Sequence, residues 1–198
     1  MEQRHRAMEN LVNPAFWHGR RVFLTGHTGF KGGWLALWLQ AMGAEVHGYA
    51  LAPSTDPALF EVAHIARGMH STFGDVRDAA ALTAALTAAS PEIVLHLAAQ
   101  PLVPLSYAEP VATFATNAMG TVHLLESVRH APDVKAVVVV SSDKCYENRE
   151  WARGYQESDP MGGHDPYSAS KGCTELITAS YRRAFLAAGG VAVASARA

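Results

Sequence analysis

Short β-branched runs alternate with helix-patterned segments from residue 20 to the end of the sequence, and few folds accommodate that rhythm. The strand candidates are residues 20–25, 45–51, 70–73, 92–97, 134–140 and 191–196. Helix candidates fall between them at 30–42, 79–89, 111–129 and 166–188. Such alternation predicts parallel strands joined by right-handed helical crossovers: a Rossmann-like α/β fold, a doubly wound sheet with helices on both faces. The valine-rich run 134–140 predicts a strand buried on both faces. Trp34 and Trp38 of the first helix are expected to pack against the sheet. Gly43 stands where a glycine ends a helix.

Residues 1–19 read as an N-terminal tail, and 20–198 as one dinucleotide-binding domain. The sequence stops inside the sixth strand candidate, so a longer protein is expected. The chain is 49% hydrophobic and 17% charged, with a net charge of -2. That balance gives no electrostatic case for nucleic acid or an anionic membrane. No apolar stretch approaches the ~20 residues of a membrane span, and no apolar segment follows the basic N-terminus as in a secretory signal. A cytoplasmic location is therefore expected. Cys145 and Cys173 are too few for a disulfide framework and lack metal-site spacing, so no metal is expected.

Between the first strand and first helix lies Thr25-Gly26-His27-Thr28-Gly29-Phe30-Lys31-Gly32. Glycines at 26, 29 and 32 permit a tight turn and close approach of a pyrophosphate to the backbone. The following helix then offers free N–H groups and a positive dipole end. A strand before the loop and a helix after it make this a dinucleotide site. The carboxylate expected at the end of the second strand, for the ribose hydroxyls, is replaced by Ala50 and Leu51, so the residues alone do not separate NAD from NADP. Asp75, with Val76 beside it, stands where an adenine amino group would be read; a turn or capping role is the alternative.

Tyr167 and Lys171 are four apart and share a helix face. A free tyrosine has a pKa of about 10, and a neighbouring ammonium is expected to lower it. Ser142 ends the fifth strand, placed to bond a substrate oxygen or to cap a turn. Asp143 and Lys144 follow it and add two proton-transfer groups to the Tyr–Lys pair. Asn117 is unfavourable inside a helix, so it is read as holding backbone or water in a relay, with an ordinary surface residue as the alternative.

The glycine loop, Leu97-Ala98-Ala99, Asn117 and the Y-x-x-x-K pair together resemble the extended short-chain dehydrogenase/reductase family. Ser142-Asp143 is similar to its sugar-nucleotide dehydratase group, where a small residue in place of the Asp marks epimerases. Lys144, where most of that group has glutamate, points to the branch acting on CDP-glucose. The resemblance implies NAD, held by residues 26–32, Asp75, Val76, Leu97, Ala98, Ala99, Tyr167 and Lys171. It implies a nucleotide-sugar substrate, a further C-terminal substrate domain absent from these residues, and catalytic roles for Ser142, Asp143, Lys144, Tyr167, Lys171 and Asn117. Oxidation at C4, loss of water across C5–C6 and reduction at C6 would follow. It also implies a homodimer built on the helix of Asn117 and that of Tyr167, with His123, Leu124, Arg129, Tyr181 or Phe185 at the contact. Another sugar-nucleotide dehydratase, an epimerase, and a non-catalytic dinucleotide-binding module with little or no turnover of its own remain as alternatives.

Overall fold

The computed structural model describes residues 12–197. Six strands form one sheet: β1 (Arg21–Thr25), β2 (Glu45–Ala50), β3 (His70–Phe73), β4 (Ile93–His96), β5 (Ala136–Ser141) and β6 (Ala192–Arg197). Their order is β3-β2-β1-β4-β5-β6, with every neighbouring pair parallel. The chain therefore winds outward from β1 on one side and from β4 on the other. Between them the order reverses, and a crevice opens at the carboxyl ends of the strands.

The main helices are α1 (Phe30–Ala41), α2 (Ala79–Ala89), α3 (Pro110–Phe114), α4 (Gly120–Arg129) and α5 (Pro166–Tyr181). On one face Phe23, Val94, Val137 and Val139 of the sheet pack with Leu82 and Leu86 of α2 and with Leu124, Leu125 and Val128 of α4. On the other, Val22, Leu24, Val46 and Leu95 pack with Ala36 and Leu39 of α1. These two apolar layers hold the strand ends in fixed register around the crevice.

Four details differ from the sequence reading. Residues 1–11 of the expected tail lie outside the described residues, but Pro14–Trp17 form a helical turn, and Val12 and Trp17 pack against the second layer. Trp34 and Trp38 are 55% and 53% exposed. Helix α1 instead buries Gly32, Gly33, Ala36 and Leu39. It is apolar nearly all round, so no polar face announces its orientation, and its small residues let the backbone approach the sheet. In β5 one face is buried while Val138 and Val140 on the other are half-buried, Val140 because it borders the crevice. The helix expected over 111–129 is split by a π-turn at Ala115–Met119, and α5 runs into a second at Arg182–Leu186. Single π-turns inside helices mark sites where an extra residue is accommodated, often functional ones.

Candidate active site

The glycine loop leaves β1 under tight backbone constraint. Gly26 has φ +77°, and a Cβ there would stand 2.8 Å from the Ala98 nitrogen. A Cβ on Gly32 would stand 2.1 Å from the Gly26 carbonyl oxygen. Loop and helix thus meet backbone to backbone, which leaves the N-terminus of α1 open toward the crevice. The crevice holds about 530 Å³ and is bordered by Gly26, Thr28 to Gly32, Asp75, Val76, Leu97 to Ala99, Tyr167 and Lys171. Its size lies in the range of ligand pockets. These residues fit a dinucleotide: bare backbone for phosphates, an apolar wall, and two lysines, Lys31 and Lys171, as the cations.

His27 is the exception among the loop residues. It is fully buried beneath the loop, where Nε2 pairs with Ser71 Oγ at 2.7 Å and the ring meets Phe60 edge-on. Burial pushes its pKa down to about 4. Its place is in the packing between β1 and β2, not on the crevice wall. Nothing in loop spacing distinguishes a side chain turned inward from one turned to a ligand.

Asp75 borders the crevice, and its carboxylate accepts from the Arg77 backbone N–H at 2.9 Å and from its Nε at 2.8 Å. The Arg77 bonds hold the Asp75 carboxyl below its ordinary range. The turn role is thus present in the fold. At the end of β2 the wall is Ala50 to Ser54, without a carboxylate, as the sequence foretells.

A buried polar layer, unseen in the sequence, fixes the loop after β4. Thr25 Oγ1 accepts from the Leu97 and Ala98 N–H groups, each at 3.1 Å, and pairs with His96 Nδ1 at 2.7 Å. Burial first, then the charge of Lys171, holds His96 near pKa 3, so it stays a neutral partner of this network. Asn117 Oδ1 accepts from Gln100 N–H at 2.7 Å, while its Nδ2 donates to the Gln100 carbonyl and to Ser170 Oγ at 2.8 Å. Its own carbonyl, inside the π-turn, accepts from the Thr121 and Thr174 hydroxyls. Asn117 is thus buried and ties loop 98–101 to α5. The surface alternative is excluded.

Helix α5 starts at an Asp165 cap, whose carboxylate accepts from the Ser168 N–H at 2.9 Å. That start aims Tyr167 and, one turn on, Lys171 at the crevice. Lys171 is buried, its Nζ 6.0 Å from the Tyr167 ring centroid and donating to the Val140 carbonyl at 3.5 Å. Burial, then the charge of Lys31, lowers it to about 8. Tyr167 is pushed up, first by burial and also by Asp143 and Asp165, against a hydrogen bond from Ser142. The expected lowering of the phenol by the lysine does not operate in this arrangement, because the ammonium faces a strand carbonyl and burial disfavours the phenolate.

Ser142 caps the 3-10 turn Asp143–Cys145: its Oγ accepts from the Lys144 N–H at 3.3 Å and donates to Asp143 Oδ1 at 3.0 Å. It serves as a cap and as a neighbour of the Tyr167 phenol together. Asp143 and Lys144 are exposed and stand past the crevice lining. Cys145 is buried and pushed up to about 11 by burial, which makes it a poor thiolate. Of the expected dimer contacts, Leu124 is fully buried in the core and His123 Nδ1 bonds the Val76 carbonyl at 3.0 Å. Tyr181 bonds Glu126, and Arg129 lies over Phe185, its Cζ 4.5 Å from the ring centroid. Those contacts lie within the chain.

A doubly wound parallel sheet with a glycine loop at its switch point, and a Tyr–Lys pair across the crevice, defines a dinucleotide-binding domain. The chain belongs to the GDP-mannose 4,6 dehydratase family, whose model matches residues 23–191. It is 56% identical over 175 residues to CDP-glucose 4,6-dehydratase of Salmonella typhimurium, covering 88% of this chain and 49% of that protein. With GDP-mannose 4,6-dehydratase of Vibrio cholerae it shares 30% identity over 84% of the chain and 46% of the relative. The chain thus spans about half the length of these curated relatives. A solved dTDP-glucose 4,6-dehydratase of Streptomyces venezuelae with NAD bound superposes with TM-score 0.77 at 27% identity, over 89% of this chain and 55% of that one. A UDP-glucose-4-epimerase of Stenotrophomonas maltophila with bound NAD gives 0.75 at 27% identity, over 90% and 52%.

Proposed function

We propose that this chain is the cofactor-binding portion of a lyase that converts CDP-glucose to CDP-4-keto-6-deoxyglucose. The observation that carries the proposal is the 56% identity to a CDP-glucose 4,6-dehydratase, together with Ser142 and Asp143, neighbours of Tyr167 after β5, and Lys144 next to them in the turn. NAD, when bound, supplies the oxidant that takes hydride from the sugar C4 and returns it to C6. Residues 26 and 28–32, Asp75, Val76, Leu97, Ala98 and Ala99 hold that cofactor.

Tyr167 takes the proton of the C4 hydroxyl, with Ser142 bonding the same oxygen. Lys171, on the crevice wall one turn from Tyr167, supplies positive charge toward the cofactor. The C4 ketone acidifies the C5 proton. Asp143 protonates the departing C6 hydroxyl, so water leaves. Lys144 serves as the base at C5 or, kept charged, as the stabiliser of the enolate while another group takes the C5 proton. Asn117 acts through the backbone of Gln100 rather than on the substrate.

A homodimer in the cytoplasm is part of the same reading. Leu176 on α5 and Met119 at the π-turn expose apolar surface on the two helices where the contact is proposed. No helix among the described residues is long and apolar enough to cross a membrane.

The test is turnover of CDP-glucose by the full-length enzyme, read as the absorbance of base-treated 4-keto product. Product from CDP-glucose supports the reading. Turnover of another nucleotide sugar alone, or C4 epimerisation without loss of water, overturns it. In the same enzyme, Lys144→Met that leaves solvent deuterium exchange at C5 undiminished removes lysine as the base.

A further inference from the structure

A third ionisable residue continues the face that carries Tyr167 and Lys171. Glu175 lies one more turn along α5, at the same four-residue interval. It is 5% exposed. Its carboxylate accepts from the Ser141 hydroxyl at the end of β5. It also accepts from Ser195 Oγ at 2.7 Å and from Arg197 Nη2 at 2.9 Å, both on β6. Arg197 reaches further: Nη1 donates to the Tyr146 hydroxyl, and the guanidinium lies 4.8 Å from that ring's centroid. Tyr146 closes the 3-10 turn that carries Asp143 and Lys144.

One buried anion therefore joins the helix of the Tyr–Lys pair to two strand ends and, through Arg197, to the turn beyond β5. Covering the sheet does not require it. A well-packed apolar residue does that as well, and replacing a whole buried ion pair with apolar groups is often neutral for stability. What an apolar residue lacks is charge, and this charge stands one turn from Lys171.

We propose that Glu175 is a positioning residue of the candidate active site, an anion that clamps Ser141 and Arg197 and so sets the place and charge of Lys171 and the stance of the Asp143–Lys144 turn. This rests on the dehydratase reading for its catalytic consequence, though not for its electrostatic one. Burial works against the Glu175 carboxylate, but bonds from Arg197, Ser141 and Ser195 keep it below its ordinary value and ionised. Lys171 is faced by Lys31 at the start of α1, which opposes its charge, and by Cys145 and Glu175, which favour it. Two further titratable neighbours, His96 on β4 and the Tyr167 phenol, whose ring centroid lies 6.0 Å from Nζ, are neutral. Glu175 itself faces Arg197 and Cys145.

Sign follows from that arrangement. Lys171 titrates near 8 with Glu175 in place. Without the anion its ammonium is less favoured and its midpoint moves down, so more of it is neutral at pH 7.5. Two experiments test this. The first is a pH titration of the Lys171 side chain by NMR in this chain, comparing wild type, Glu175→Gln, Glu175→Asp and Ser195→Ala. The midpoint is expected to fall by about one unit in Glu175→Gln, an amount typical of one nearby opposite charge. It is expected to hold in Glu175→Asp, which keeps the charge, and in Ser195→Ala, which removes only a neutral donor. An unchanged midpoint in Glu175→Gln overturns the proposal, whether or not CDP-glucose is the substrate.

The second is the pH profile of kcat on CDP-glucose in the full-length enzyme. The alkaline limb is expected to move down with the same midpoint in Glu175→Gln, with kcat at pH 7.5 lower by about threefold, the fall in the protonated fraction of Lys171, and KM little changed. Wild-type turnover with an unshifted Glu175→Gln limb overturns the proposal. Absence of wild-type turnover removes the dehydratase reading instead and leaves the NMR titration to decide.

Discussion

Gly32→Ala isolates the backbone contact on which the cofactor loop depends. The added Cβ would stand 2.1 Å from the Gly26 oxygen, 2.7 Å from its carbonyl carbon and 3.0 Å from His27 Cα. Ordinary carbon contacts lie at about 3.5–4.0 Å, so loop and helix must separate by more than ~1 Å. The loop has little room to yield. Gly26 is held at φ +77°, its N–H donates to the Tyr49 carbonyl at 3.0 Å, and its carbonyl accepts from Gly29 at 3.1 Å. Overpacking of this kind costs about 1–3 kcal/mol. Replacing glycine by alanine inside a helix returns about 1 kcal/mol through propensity. The net expectation is a loss of up to about 2 kcal/mol, with NAD binding weakened by about tenfold or more as the α1 N-terminus retreats. Gly29→Ala is the control, because its Cβ meets its nearest neighbour, the Gly26 oxygen, at an ordinary 3.4 Å. It should change stability by less than about 0.5 kcal/mol. Urea unfolding and a fluorescence titration with NAD measure both. Gly32→Ala that is as stable as Gly29→Ala, with wild-type affinity for NAD, refutes the steric reasoning.

Two further outcomes follow from the buried polar groups. Asn117→Ala leaves the Gln100 N–H and carbonyl without their side-chain partner, so urea unfolding should show a loss of about 2–6 kcal/mol at about 1–3 kcal/mol per unsatisfied group; a loss below about 0.5 kcal/mol contradicts the clamp. His27 is depressed to about 4, below its usual value, so the unfolded chain binds the extra proton first as pH falls. Its contribution is full above about pH 6.5 and is lost toward pH 4, on the order of 2–3 kcal/mol at about 1.4 kcal/mol per unit. His27→Gln, which keeps a donor for Ser71 and does not titrate, should show a shallower fall in stability over that window; parallel curves for variant and wild type would count against the burial argument.

The sheet was legible because strand and helix periods differ and because crossover rules leave one topology for such alternation. Glycines 26 and 32 were legible for the same kind of reason: each meets a backbone constraint that no other residue type satisfies, whereas Gly29 leaves room for a Cβ. Side-chain direction was less accessible. His27 and Thr28 are neighbours in one loop, yet His27 points into the core and Thr28 lines the crevice, and spacing cannot tell them apart. Trp34 and Trp38 misled because a helix apolar on all sides carries no orientation signal, and the glycines beside them decided which face approached the sheet. The polar layer of Thr25, His96 and Gln100 escaped because its members come from separate elements, joined only by the fold. Glu175 left a trace, the four-residue interval after Tyr167 and Lys171, but its partners Ser195 and Arg197 lie on a strand that sequence alone does not place beside it.

The central claim is that the residues at the end of β5 serve dehydration. It is tested most directly by incubating the full-length enzyme with CDP-glucose in deuterium oxide and reading the product by NMR. The account predicts a 4-keto-6-deoxy sugar carrying solvent deuterium at C5, and little or none of it with Asp143→Asn. A product that keeps its C6 hydroxyl, or undiminished formation of the 6-deoxy product by Asp143→Asn, would contradict it.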